Sequence, residues 1–241
     1  MRRREIFSAR DATTLEVALI AMVLFCLPLF EAPKNVFSIC FLIVWSIRTI
    51  RIGSIGSPSP FDLSIAGLAS ILWIAPFFSD FYEIIKPLNS APRWTLLAMF
   101  VLAASRLDYS RPQVIVMLAA IMVGGIAAVA ESLWVWNLIG KPYPEFRSVG
   151  HVNHSSMYSL IPLAAGIGAL FTRERWIQAL GVVAVFSTIA FLLPSKSLVG
   201  FGATTAILMA AVIVWVSHRY SYRFVPFLFI ASVVVIVGIL V

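Results

Sequence analysis

Val114-Ile115-Val116-Met117-Leu118-Ala119-Ala120-Ile121-Met122-Val123-Gly124-Gly125-Ile126-Ala127-Ala128-Val129-Ala130 carries no charged residue between Arg111 and Glu131. Apolar residues follow one another on every side of this run, without the alternation a membrane barrel strand would show. A helix needs roughly 20 apolar residues, at about 1.5 Å each, to cross about 30 Å of hydrocarbon. Val114–Trp136 meets that length, so the stretch reads as a transmembrane helix.

Runs of the same kind lie on both sides of it. Before it come Leu15–Phe30, Val36–Ile50, Leu63–Phe78 and Trp94–Ser105; after it come His151–Phe171, Trp176–Pro194, Leu198–Ser217 and Phe224–Val241. The expected fold class is therefore all-α: a polytopic integral membrane helix bundle of about nine transmembrane helices. The second and fourth runs are short, and tilt or snorkelling arginines would accommodate them. Composition agrees, with 61% apolar and 12% charged residues against about half and about a quarter in a soluble domain. Met1-Arg2-Arg3-Arg4 ahead of the first run resembles a signal peptide, but no small-x-small cleavage site precedes Glu31. A retained signal-anchor helix is expected.

The pI near 9.9 would suggest a nucleic-acid partner in a soluble protein. Here the basic residues stand in short clusters between apolar runs, so no nucleic acid is expected and membrane topology accounts for them. With the N-terminus cytoplasmic, the inner segments hold 12 of the 18 basic residues, all arginine, from Arg2 to Arg223. The outer segments hold Lys34, Lys86, Arg93, Lys141, Arg147 and Lys196. The bias recurs at every inner loop, which supports the span count and the orientation together. Loops are short, so residues 1–241 read as a single transmembrane domain; Ile52–Pro60 is an inner turn. Cys26 and Cys40 lie inside apolar runs and give neither a disulfide framework nor metal-ligand spacing. Gly124-Gly125, Gly166-x-Gly168 and Gly200-x-Gly202 lie within spans and read as helix-packing faces.

Polar residues are costly in a bilayer, so their gathering places are informative. One cluster is Arg147-Ser148-Val149-Gly150-His151-Val152-Asn153-His154-Ser155-Ser156, at the start of the sixth span. The other is Pro194-Ser195-Lys196-Ser197, at the start of the eighth. Both even-numbered spans run inward, so both clusters face outward at helix N-termini, where unpaired N–H groups favour phosphate. Arg147 offers a planar fork and Lys196 a point charge. Plainer roles stand beside these: Ser195 and Ser197 as helix caps, Lys196 as a headgroup contact. Glu131, at the outer end of the fifth span, is a supporting acid, the partner of an outer cation or a side chain reaching water. Asp62, near the start of the third span, suffices as a cap. His151 and His154 are three apart, but no third ligand has zinc spacing, so no metal is expected. No cofactor is expected either.

Arg147-x-x-Gly150-x-x-Asn153-His154 resembles the motif of the bacterial O-antigen ligase and polymerase superfamily, which includes exopolysaccharide polymerases. Ser195-Lys196-Ser197, one helical hairpin later, resembles that family's Ser-Arg/Lys-Ser/Thr motif. The likeness covers order, spacing and sidedness from about Glu145 to Ala210; the first four spans share only hydropathy. It implies a metal-independent glycosyltransferase in surface polysaccharide biosynthesis, at the outer face of the bacterial inner membrane. It implies a polyprenyl-diphosphate-linked glycan as donor and a lipid or glycan acceptor as further partner. Arg147, Gly150, Asn153, His154, Ser195, Lys196 and Ser197 would then form the diphosphate and substrate site. Lysine at 196, where ligases commonly have arginine, leans toward the exopolysaccharide branch. The family's large outer loop, with its catalytic histidine, follows the ninth span, and the sequence stops there on Phe224–Val241. The chain is thus expected to be the N-terminal part of a longer architecture, without transferase activity by itself and with no assignable catalytic residue. Two other readings stay open: a transporter or flippase for an anionic or lipid-linked solute, and a non-catalytic membrane assembly partner.

Overall fold

The structure, a computed structural model, describes residues 11–55, 62–74, 85–149 and 151–220. The regular elements among them are eight helices: α1 (Thr14–Cys26), α2 (Glu31–Ile52), α3 (Asp62–Ile74), α4 (Ile85–Ala104), α5 (Arg111–Ile139), α6 (Val152–Leu170), α7 (Arg175–Ser195) and α8 (Leu198–Tyr220). The one β feature among the described residues is an isolated bridge between Asp11 and Asp108. Three helices, α2, α5 and α7, are long and apolar enough to cross a membrane; α1 and the apolar parts of α3, α4 and α8 are shorter. Each of the first eight apolar runs overlaps a helix, with residues 75–78 of the third run outside the described residues. Phe224–Val241, the N-terminal arginines and Gly150 lie outside the described residues.

The helix ends follow local chemistry. Thr13 and Glu16 form a capping box ahead of α1: the Thr13 N–H donates to Glu16 Oε2 at 2.8 Å, and the Glu16 N–H donates to Thr13 Oγ1 at 3.2 Å. The two short runs lengthen in the structure. α2 begins at Glu31, with Glu31 and Pro33 in its first turn, where an acid meets the helix dipole and proline sacrifices no intrahelical bond. α4 begins at Ile85 and carries Pro92 within it, so Lys86 and Arg93 stand on a helix where the sequence suggested a loop. α5 stops at Gly140, whose φ of 67° is the left-handed conformation that ends helices.

The described chain divides into two compact units. The first comprises residues 1–24 and 32–117; the second comprises residues 25–31 and 118–241. In the first, Phe41 and Phe100 meet edge to face at 5.1 Å among Val17, Ile20, Val23, Ala103 and Leu107. α3 and α4 lie together, and Asp62 pairs with Arg106 at 2.6 Å, a larger role than the cap expected for it. Arg48 reaches the fully buried Glu16 at 2.6 Å.

In the second unit α6 is the central member, packed along α7 and against α8. A Cβ at Gly181 would lie 2.6 Å from the carbonyl oxygen of Gly166, so these two backbones approach closely. The α7 residue Thr188 donates to Ala184 O at 3.0 Å and lies 3.4 Å from the Ser159 carbonyl of α6. A cluster of Leu29, Ala128, Val129, Phe146, Phe191 and Leu192 closes the end where α5 and α7 finish and α6 and α8 begin. Phe146 and Phe191 lie 4.7 Å apart at its centre.

Candidate functional site

The loop from Lys141 to Val149 leads into α6 at that end of the second unit. It is anchored three times. Phe146 is buried against Phe191. The Phe146 N–H donates to Ser155 Oγ at 2.9 Å, and Ser148 Oγ donates to the Pro28 carbonyl at 2.7 Å. Ser155 in turn donates to the His151 carbonyl at 2.8 Å. A buried loop segment thereby has its backbone satisfied by one helical serine, which a loop at a bundle end requires.

His151 is the N-cap of α6: it has extended backbone angles and its Nδ1 accepts from the Asn153 N–H at 3.2 Å. His151 and His154 have ring centroids 5.2 Å apart. Their side chains are exposed, as is that of Asn153. Among the described residues no three His, Cys, Asp or Glu side chains gather as metal ligands would. Ser156 and Ser159 are fully buried and donate to the carbonyls of Val152 and Ser156. They are satisfied within α6, as buried hydroxyls in a helix commonly are.

Between α7 and α8 the chain turns through Lys196, which takes a left-handed conformation (φ 51°, ψ 26°). That twist projects an exposed lysine side chain between two buried serines. Ser197 is the cap of α8, its Oγ accepting from the Gly200 N–H at 3.1 Å. Ser195 belongs instead to the last turn of α7, donating to Leu192 O at 2.7 Å. Of the two serines read as caps, one is.

The two polar clusters meet through uncharged groups. Ser197 Oγ donates to Asn153 Oδ1 at 3.3 Å, across 44 positions of sequence. Arg147 points elsewhere: it is 80% exposed, and its Nη1 stands 3.7 Å from Glu131 Oε1. Glu131 is therefore paired with a cation, one of the roles open to it in the sequence. The pair is wet and correspondingly weak. Among the described residues no hydrogen bond or ion pair joins Arg147 to Lys196, while Gly150 lies outside them.

Beside the Arg147–Glu131 pair is a cavity of about 350 Å³ lined by Glu131, Ser132, Val135, Ile139, Lys141, Glu145, Phe146 and Arg147. Lys141 and Glu145 pair across 3.0 Å at its rim. Sequence reading singled out Glu131 and Arg147 here but passed over Ser132, Lys141 and Glu145. An apolar helix with one serine gives no local sign of a cavity. No protein-family model matches the chain, and no curated protein or solved structure shows significant similarity to it.

Proposed function

We propose that the chain is an O-antigen ligase- or polymerase-like glycosyltransferase component that binds a polyprenyl-diphosphate-linked glycan at the outer face of the bacterial inner membrane. The observation that carries the reading is the Ser197–Asn153 hydrogen bond of 3.3 Å. It makes one polar surface of the two motifs that are 44 positions apart in the chain. The two motifs also carry exposed groups suited to an anionic lipid headgroup: the ammonium of Lys196, the His154 ring and the guanidinium of Arg147, which faces Glu131. Arg147 supplies a planar fork for two phosphate oxygens and Lys196 a point charge that its turn presents outward. The starts of α6 and α8 add N–H groups and the positive ends of two helix dipoles.

In this reading the chain crosses the membrane nine times with its N-terminus cytoplasmic, a sidedness supported by the arginine excess on the segments it places inside. Glu131 holds Arg147 at rest and releases it when a diphosphate competes for the guanidinium. A lipid or glycan acceptor approaches from the same outer surface. The test is binding of an undecaprenyl-diphosphate-linked oligosaccharide to the full chain in nanodiscs, and its transfer where transfer is detected. Arg147→Ala and Lys196→Ala are each expected to weaken binding by about tenfold, the scale of one charge-assisted contact. Unchanged binding in both folded variants overturns the diphosphate role.

A further inference from the structure

A groove of about 530 Å³ runs between the start of α1 and the end of α2, within the first unit. Leu15, Val44, Ile47 and Ile52 make its walls, and Thr13, Arg48 and Arg51 supply its polar groups. No carboxylate lines it among the described residues. From the groove an apolar stripe continues back along α2 through Ile47, Ile43, Cys40 and Val36. Steps of three and four residues keep these side chains on one face of a helix. That face is open: Val36, Ile43 and Ile47 are each about half exposed, and Cys40 is exposed as well. From Val36 to Ile47 the stripe rises about 16 Å, half of the roughly 30 Å of hydrocarbon in a bilayer.

Charge in the groove is uneven. Arg48 Nη1 meets the fully buried Glu16 Oε2 at 2.6 Å, a pair that fixes the guanidinium in place and cancels its charge. The Thr13 hydroxyl is also taken, donating to the same carboxylate oxygen at 2.9 Å. Arg51 is exposed in the last turn of α2, and no hydrogen bond or ion pair engages it among the described residues. The partial positive charge at the start of α1 and the partial negative charge at the end of α2 offset one another there. Two arginines against one glutamate leave a single positive charge, beside an apolar track as long as one leaflet is deep.

Those two properties select the occupant. A polar solute has nothing to bond along the track, and a fatty chain without charge leaves Arg51 unmet. A phospholipid bearing one phosphodiester answers both. An ethanolamine head adds an ammonium that finds no carboxylate in the lining, so an uncharged head such as glycerol fits better. A diphosphate brings more negative charge than the groove neutralises. A second copy of the chain, related by a two-fold axis along the membrane normal, would bring Arg51 against Arg51. We infer that the groove is a binding site for phosphatidylglycerol, its phosphodiester at Arg51 and Arg48 and an acyl chain along Ile47, Ile43 and Val36. Basic pockets between helices on the cytoplasmic side hold anionic headgroups in the same way. The N-inside orientation proposed above assigns the groove to the inner leaflet; the transferase reading is not needed for it.

The experiment titrates the full chain in detergent with phosphatidylglycerol and reads bound lipid by native mass spectrometry. Saturable binding is expected, weakened about tenfold by Arg51→Ala, the scale of one charge-assisted contact. Ile47→Trp, which fills the groove and keeps both arginines, should weaken it comparably. Both positions are exposed, so both variants should melt near the parent temperature. Arg173→Ala removes the same charge from another exposed position and should leave binding unchanged. Phosphatidylethanolamine should bind at least tenfold more weakly, and water-soluble glycerophosphoglycerol should not displace the lipid. Equal binding by Arg51→Ala and Ile47→Trp, equal loss in Arg173→Ala, or no preference over phosphatidylethanolamine overturns the site. Displacement by glycerophosphoglycerol overturns it in favour of a free phosphodiester. Crosslinking of two copies through Ile47→Cys, in a chain otherwise without cysteine, overturns it in favour of a dimer face. If Arg147→Ala and Lys196→Ala leave the lipid-diphosphate bound while phosphatidylglycerol still needs Arg51, the transferase reading falls and this site stands.

Discussion

Ser155 holds the loop that carries Arg147, since its Oγ is the acceptor for the buried Phe146 N–H. Replacing it with alanine leaves that donor unsatisfied, at a cost of roughly 1–3 kcal/mol, measurable as a lower melting temperature in detergent. The sequence placed Ser155 in a polar cluster but not this duty, because the partner is nine residues away on a loop. Buried charge makes a second case. Glu16 is fully buried and is held by Thr13 and Arg48. Arg48→Ala strands the carboxylate and is expected to cost about 3–5 kcal/mol, a loss that the double variant with Glu16→Leu should largely recover. Tyr109 lies near this pair. Burial, then the Glu16 carboxylate, push its phenol well above the usual range, with Arg48 pulling weakly the other way. The neutral phenol is thus favoured in the folded chain. Its contribution is intact below about pH 10 and is lost as pH climbs from there toward the folded value. A spectrophotometric titration should show one late tyrosine, absent from Tyr109→Phe.

At the scale of elements, small residues were legible as packing positions, but the face they serve was not. Gly166 and Gly168 stand about 200° apart around an α-helix, so both cannot face one neighbour. The structure gives Gly166 to α7 and leaves Gly168 open; the same choice falls on Gly200 over Gly202. Gly181→Leu, whose Cβ would meet backbone rather than a yielding side chain, is expected to part α6 from α7 and cost about 1–3 kcal/mol or more. Gly168→Ala should be neutral or stabilising by about 0.5–1 kcal/mol, the helix-propensity difference. Thermal melts of the two variants side by side check the choice of face. The lengthening of α2 and α4 follows a similar logic. Proline and charge near a helix start look like loop in a hydropathy profile; the first turn of α2 tolerates Glu31 and Pro33, whereas α4 runs through Pro92 in its interior.

For the whole molecule the governing fact is apolar surface on helices long enough to need lipid. The nine-span, N-inside arrangement is checked by single cysteines in a chain with Cys26 and Cys40 replaced. Tyr143→Cys is expected to react with a membrane-impermeant maleimide in intact cells, and Arg173→Cys only after permeabilisation. The reverse pattern would turn the chain over and put the α6 and α8 starts on the cytoplasmic side. Helical class and the placement of polar clusters at helix starts were determined by sequence alone. Both follow from uninterrupted apolar length and from the cost of placing polar groups in hydrocarbon, which are properties of consecutive residues. The Asn153–Ser197 bridge and the engagement of Arg147 with Glu131 were decided only by tertiary structure. Each depends on which faces of separate helices meet, and hydropathy along a chain carries no record of that angle.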